Sequence, residues 1–183
     1  MAAEKPSSPG EYMATPENIY VASSWRNAFQ PWVVAELRTA GFTVYDFRNP
    51  RPGDFGFSWA QVDSAWQSWS PREWRDALQH PIAQAGFKSD MDALRAADAV
   101  LLVLPCGRAA HLELGWAAGA GKRTGILALE PTDPDLMVLI CDFLALSIPE
   151  AIEELRSRSR EQTPSRSPSS SMTGGATGEQ HER

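Results

Sequence analysis

The sequence predicts an α/β sandwich: one parallel β-sheet with helices on both faces. Three observations carry this. Short apolar runs alternate with helical patterns from residue 18 to residue 155, the signature of strand–helix–strand units. Residues 99–104 (AVLLVL) are apolar at every position, as a strand covered on both faces is. Hydrophobic residues make up 43% of the 183 and charged residues 22%, enough to build the core of one domain of the usual ~100–200 residues.

The elements follow in order. Residues 18–23 (NIYVAS) read as a buried strand bounded by small polar residues. Residues 25–40 carry Phe29, Val33, Leu37 and Ala40 at helical spacing, and Gly41 ends that helix. Residues 42–47 (FTVYDF) are the second strand, and Asn49-Pro50-Arg51-Pro52-Gly53 is a loop by its Pro/Gly content. A Trp-rich insertion follows near residues 55–80. Trp59, Trp66 and Trp69 are spaced 7 and then 3 apart, which predicts one aromatic face on a short helix.

Ser89-Asp90 reads as the start of a helix that closes over residues 92–97. Strand three, residues 99–104, follows. Residues 111–121 form a helix rich in small residues, and residues 124–129 (TGILAL) a fourth strand. A short helix over 135–140 and a last strand over 143–146 come next. Ser147 then starts the final helix, with Glu150 completing a capping box. Five strands joined by right-handed crossovers give the small flavodoxin-like form of the doubly wound sandwich. The domain is expected to span 18–159. Residues 1–17, polar and proline-bearing, read as a flexible arm, and the Ser/Gly/Thr/Pro-rich 160–183 as a disordered tail.

Composition removes several function classes. No run approaches the ~18 apolar residues of a membrane span, and the N-terminal stretch carries no apolar segment of a signal peptide. Cys106 and Cys141, 35 residues apart, fit neither a zinc spacing nor a disulfide framework. A cytoplasmic protein without a metal or other cofactor is expected. A net charge of −6 argues against a non-specific nucleic-acid binder, while leaving room for a small anionic ligand held by one or two local cations.

In a doubly wound sheet, ligands sit beyond the carboxyl ends of the strands at the switch point. The loops after Ser23, Phe47 and Leu104 are therefore the place to look. After strand three, a helix starting near Ala109 carries Glu113 on its first turn, where the helix dipole favours a carboxylate and lowers its pKa. That residue is either a solvated helix-terminal Glu or a group aimed into the cleft. Asp90 reads as an N-cap or as a second carboxylate of the cleft; Asp92 and Asp98 are its rivals, Asp98 as a turn residue.

Tyr20, inside the first strand, is either a core tyrosine or a phenol that holds a carboxylate in place. Ser23 and Ser24 offer hydroxyls and backbone N–H groups, and Trp25 is placed to stack on a planar ring. Asp46 and Arg48 at the end of strand two, and Gly107 and Arg108 before the Glu113 helix, complete the candidate binding set. Either arginine could hold a phosphate or carboxylate by paired hydrogen bonds, or be an ordinary surface residue. His111, two residues from Glu113, points away from it. The tryptophans of the insertion form a local mini-core or a lid. GxGxxG is absent, so a dinucleotide fingerprint has no support.

Taken together, IYVASSW in the first strand, Asp90 eight residues before Asp98, and HLELGWAAGAGK after the third strand resemble the nucleoside 2-deoxyribosyltransferase-like family, which includes nucleoside-5′-monophosphate N-glycosidases. The resemblance spans roughly residues 18–155. It implies a nucleoside or nucleotide substrate, no cofactor, and no nucleic-acid or membrane partner. A homodimer or higher homo-oligomer, whose subunits close one another's sites, is also implied.

Carried over, Glu113 matches the nucleophile, Asp90 the carboxylate that assists at base and sugar, and Tyr20 the strand tyrosine that orients the nucleophile. The implied chemistry is cleavage of an N-glycosidic bond through a glycosyl ester, resolved by water or by another base. Gly107 stands where some members place Asp or Ser. Arg108 beside it could take over a phosphate contact, which tilts the expectation toward a hydrolase. The alternative is a TIR-like module that binds or hydrolyses a nucleotide or NAD.

Overall fold

A computed structural model describes residues 18–157; the expectations for 1–17 and 160–183 fall outside those residues. Five strands, β1 (Asn18–Ala22), β2 (Thr43–Asp46), β3 (Ala99–Val103), β4 (Arg123–Leu127) and β5 (Phe143–Ala145), form a sheet in the order β2-β1-β3-β4-β5. Every pairing is parallel. β3 lies at its centre and is buried at all five positions, which explains its unbroken apolar run.

Two helices cover each face. α1 (Gln30–Thr39) and α5 (Ile148–Arg156) lay Val33, Leu37, Ile148 and Leu155 on Ile19, Val21 and Leu101. On the opposite face, α3 (Pro81–Ala96) and α4 (Arg108–Gly119) pack Leu94, Ala110, Leu114 and Ala117 on Tyr20, Val100 and Leu102. The fold is the expected flavodoxin-like sandwich. Its switch point lies between β1 and β3, where the chain departs to opposite sides. Among the described residues no helix is long and apolar enough to cross a membrane.

Several element boundaries differ from expectation. α1 begins at Gln30, not at residue 25, because Asn27 is drawn into the interior. Its amide donates to Ser23 Oγ (3.0 Å) and to the Val103 and Pro105 carbonyls (3.1 Å each), and its oxygen accepts Phe29 N at 2.8 Å. These tertiary bonds hold residues 24–27 as a turn. The Trp59–Trp66–Trp69 face does not lie on one helix: two short 3₁₀ turns, Trp59–Gln61 and Trp66–Ser68, replace it. The rings still form a mini-core, with Trp59 edge-on to Trp69 at 5.5 Å and to Phe57 at 4.8 Å. A short helix, α2 (Pro71–Ala77), capped by Ser70, follows.

Asp90 is not a helix start. α3 begins nine residues earlier, at Pro81, capped by the His80 ring, which accepts Ile82 N at 3.2 Å. Residues 135–140 are a 3₁₀ turn, Leu136–Ile140, capped by Asp135. Ser147 caps α5 by accepting Glu150 N. The Glu150 carboxylate takes Leu146 N instead of Ser147 N, so only half of the expected box forms.

The insertion is anchored where Gly56, at φ 73°, lies against the end of β2. A Cβ there would fall 2.1 Å from the Phe47 carbonyl oxygen and 3.1 Å from the Trp25 ring. Gly53 shares the positive φ, but a Cβ added to it meets nothing. Gly56→Ala is therefore expected to lower unfolding free energy by about 1–3 kcal/mol beyond the cost of Gly53→Ala. Paired urea titrations check this, and equal midpoints for the two variants would remove the anchoring role.

Candidate active site

Four side chains meet over the face of the sheet covered by α3 and α4. Tyr20 on β1 and Tyr45 on β2 occupy paired register positions. Their rings stack with centroids 5.2 Å apart and planes 18° from parallel. α3 brings Asp90 to the Tyr45 hydroxyl, which donates to Asp90 Oδ1 at 2.8 Å and lies 3.4 Å from Ser89 Oγ. α4 brings Glu113, half-buried, toward the Tyr20 phenol. Tyr20 itself is 1% exposed. The three residues named by the resemblance, distant in sequence, thus form one electrostatic cluster.

Glu113 is the sixth residue of α4, on its second turn and not its first. The expected dipole effect gives way to a larger opposite one. Burial pushes its pKa up to about 7, the negative charge of Asp90 adds to the rise, and the Tyr20 phenol draws it partly back. Burial also raises Asp90, with the Tyr45 hydroxyl opposing and the Asp54 charge assisting. Both phenols are pushed up, first by burial and then, for Tyr20, by the charges of Glu113 and Asp90. Two carboxyl groups in one partly desolvated site titrate as a pair, its upper titration lying at about 7.

The rivals take other roles. Asp92 also lines the cavity, but it is exposed and pairs with Lys88 and Arg95. Asp98 accepts Asn18 N at 2.8 Å, a turn role at the amino end of the sheet.

The binding candidates divide into braces and open groups. Ser23 Oγ donates to the Val103 carbonyl at 2.9 Å, tying β1 to β3. Ser24 Oγ accepts Arg26 N at 3.2 Å. Asp46 is buried and accepts Gln30 Nε2, Arg48 N and Asn49 Nδ2. Arg48 Nη2 donates to the carbonyls of Ser24 (2.7 Å), Trp25 (2.9 Å) and Asn27 (2.8 Å). The geometry thus supports Asp46 and Arg48 as braces of the loop between β1 and α1 more than as ligand contacts.

Trp25 is half-exposed, edge-on to Phe47 at 5.3 Å. Gly107 caps α4 without a side-chain bond, and Arg108 beside it is exposed. His111 turns from Glu113 to Cys106 Sγ (3.5 Å) and the Gly107 carbonyl. Burial and the Glu113 charge push the Cys106 thiol up to about 11, away from thiolate chemistry.

On the Asp90 side of the pair opens a cavity of about 380 Å³, lined by Tyr45, Phe47, Asp54, Phe57, Ile82 and Asp90; Glu113 and Tyr20 are not among its lining residues. The insertion contributes Phe57, wedged against Gly86 of α3, so it serves as a cavity wall as well as a mini-core. Tyr45 and Asp54 were not singled out from the sequence. The available signal for Tyr45 was that it occupies in strand two the place Tyr20 holds in strand one. Among the described residues no group of three His, Cys, Asp or Glu could hold a metal ion.

Three solved structures match the chain. A 2-deoxyribosyltransferase from Bacillus psychrosaccharolyticus matches at 20% identity and TM-score 0.47, over 74% of this chain and 90% of that one. A CMP N-glycosidase from Clostridium botulinum matches at 16% identity and TM-score 0.41, over 76% and 98%. A conserved protein from Enterococcus faecalis V583 matches at 15% identity and TM-score 0.51, over 79% and 100%. Likeness at these identities bears on the fold alone, and it is the third that supports it. No family model and no curated protein matches the sequence.

Proposed function

We propose that the chain is an enzyme that cleaves the N-glycosidic bond of a nucleoside or nucleoside 5′-monophosphate, with Glu113 as nucleophile and Asp90 as proton donor. The observation that carries this reading is the carboxylate pair itself: two partly buried carboxyl groups, each facing its own tyrosine, one of which, Asp90, lines a cavity large enough for a heterocycle. The resemblance of IYVASSW and HLELGWAAGAGK to the nucleoside 2-deoxyribosyltransferase-like family supports the same assignment.

The steps balance within the pair. Glu113 and Asp90 share a proton, and the reactive form is the one that carries it on Asp90: ionised Glu113 then forms a bond to C1′ as the C1′–N bond breaks, and the bond's electrons leave with the base, which takes the proton of Asp90. Water then attacks C1′ of the ester. Glu113 leaves as a carboxylate, and the water's proton returns to Asp90. A second base in place of water gives transfer instead of hydrolysis. Arg108 and the uncapped N–H groups at the start of α4 are available to a 5′-phosphate. Exposed Leu112 and Trp116 on the outer face of α4 support self-association through that helix, and the two free cysteines fit a reducing cytoplasm.

The test is free-base release from a panel of nucleosides, nucleotides and NAD, read by chromatography. Release of nicotinamide alone would favour the TIR-like alternative. The pH dependence has a definite sign. The upper titration of the pair lies at about 7; above it both groups are ionised, and Glu113 can attack but Asp90 has no proton to give. Base release is expected to fall as pH rises through about 7 and to fall again at low pH once both groups are protonated. A rate that climbs through pH 7 and stays high would mean that the departing base takes no proton from the pair.

A further inference from the structure

Asp90 has two oxygens in different situations. Oδ1 accepts the Tyr45 hydroxyl at 2.8 Å. Oδ2 has no hydrogen-bond partner among the described residues, and Asp90 lines the cavity. The Tyr45 ring cannot swing freely, because it stacks on Tyr20 at 5.2 Å, and Tyr20 is locked in the sheet at 1% exposure. We propose that Tyr45 is a positioning residue for Asp90: its hydroxyl pins one carboxyl oxygen and so aims the other, with its proton, at the leaving group. The two tyrosines then divide the work, Tyr20 facing the nucleophile and Tyr45 fixing the acid.

The proposal rests on the N-glycosidase reading and adds to it a residue on a third element. The groups facing Asp90 are Tyr45 from β2, Tyr20 from β1, Glu113 from α4, Asp54 from the loop after β2, and Ser89 on its own helix. Of these only Tyr45 donates a hydrogen bond to it. Donation to a carboxylate favours the ionised form, so the phenol also keeps the Asp90 proton transferable.

Tyr45→Phe keeps the ring and its stack and removes only the hydroxyl. The substrate pair is a nucleotide that the native protein cleaves and the p-nitrophenyl glycoside of the same sugar, whose nitrophenolate leaves without a proton. Release from the nucleotide is expected to drop about tenfold to hundredfold in kcat, short of the ~10²–10⁴-fold that a general acid supplies, with KM nearly unchanged. Release of nitrophenolate is expected to stay within about twofold of native. The alkaline limb of the nucleotide profile is expected to move to higher pH, because Asp90 holds its proton more tightly without the phenol. A second measurement does not depend on the size of the single effect: in an Asp90→Asn background, adding Tyr45→Phe is expected to cost nothing further.

Equal loss on both substrates, an unmoved pH limb, or additive losses in the double variant would each overturn the positioning role. If the native protein releases neither base nor nitrophenolate, the N-glycosidase reading itself fails and takes this proposal with it.

Discussion

Glu113→Gln is expected to release no measurable base from any nucleotide that the native chain cleaves. Glu113 is the single carboxylate on α4, so no neighbour on that helix can form the glycosyl ester. An amide has no charge to attack C1′, and loss of a nucleophile costs at least about 10⁴-fold where the reaction passes through it. The native protein, quenched in acid during turnover, is expected to carry the mass of one sugar on Glu113, and the variant none.

The fold should gain from the same change, and the sign follows from the raised pKa. Native Glu113 holds its proton up to about pH 7, against an ordinary value of 4.5, so the folded protein loses stability as pH rises from the lower value through the upper one. Glutamine does not titrate. At about pH 8 the variant is expected to unfold at higher urea than native, by up to about 2–3 kcal/mol, and the gap should close by about pH 5. Unchanged turnover would eliminate the covalent route. A variant less stable at every pH would make Glu113 structural and bring the binding-module alternative forward.

The sheet was legible in the sequence because burial on both faces leaves a mark in the chain itself: AVLLVL can be little else than a central parallel strand. The fold class put the cleft at the loops after Ser23, Phe47 and Leu104, whereas Tyr20, Asp90 and Glu113 were singled out by the resemblance carried by IYVASSW and HLELGWAAGAGK. The start of α1 was not legible, because Asn27 leaves the helix to bond carbonyls on and just after β3, some 76 residues away in sequence. Ser89-Asp90 has the look of a cap, yet the His80-Pro81 start upstream makes it mid-helix.

The Glu113 pKa failed for a related reason. A dipole argument uses the residue's own helix, whereas the dominant effects come from burial against the sheet and from Asp90 on another helix. Tyr45 escaped notice because its role exists only once two strands lie in register and a helix crosses them. Asp46 and Arg48 sit at the expected crevice, but their bonds run to the loop that shapes it.

Asp90→Asn separates proton donation from geometry. Asparagine keeps an oxygen that can accept the Tyr45 hydroxyl, so the side chain stays aimed while its transferable acid proton is gone. Release of a base that must be protonated is expected to fall about 10²–10⁴-fold, the usual worth of a general acid. Release of p-nitrophenolate from the matching glycoside needs no proton, and its pH profile should have the opposite slope from that of the nucleotide. In the native protein the nitrophenolate rate should rise through about pH 7 as Glu113 ionises.

In Asp90→Asn that rise is expected to move to lower pH, because the negative charge that helped hold the proton on Glu113 is absent. The variant would thus be slower than native on the nucleotide and faster on the activated glycoside at about pH 6, a crossover that simple disruption of the fold cannot produce. Parallel losses on both substrates would show that Asp90 contributes geometry and not a proton. A nitrophenolate profile that does not move would show that the two carboxylates do not share a charge.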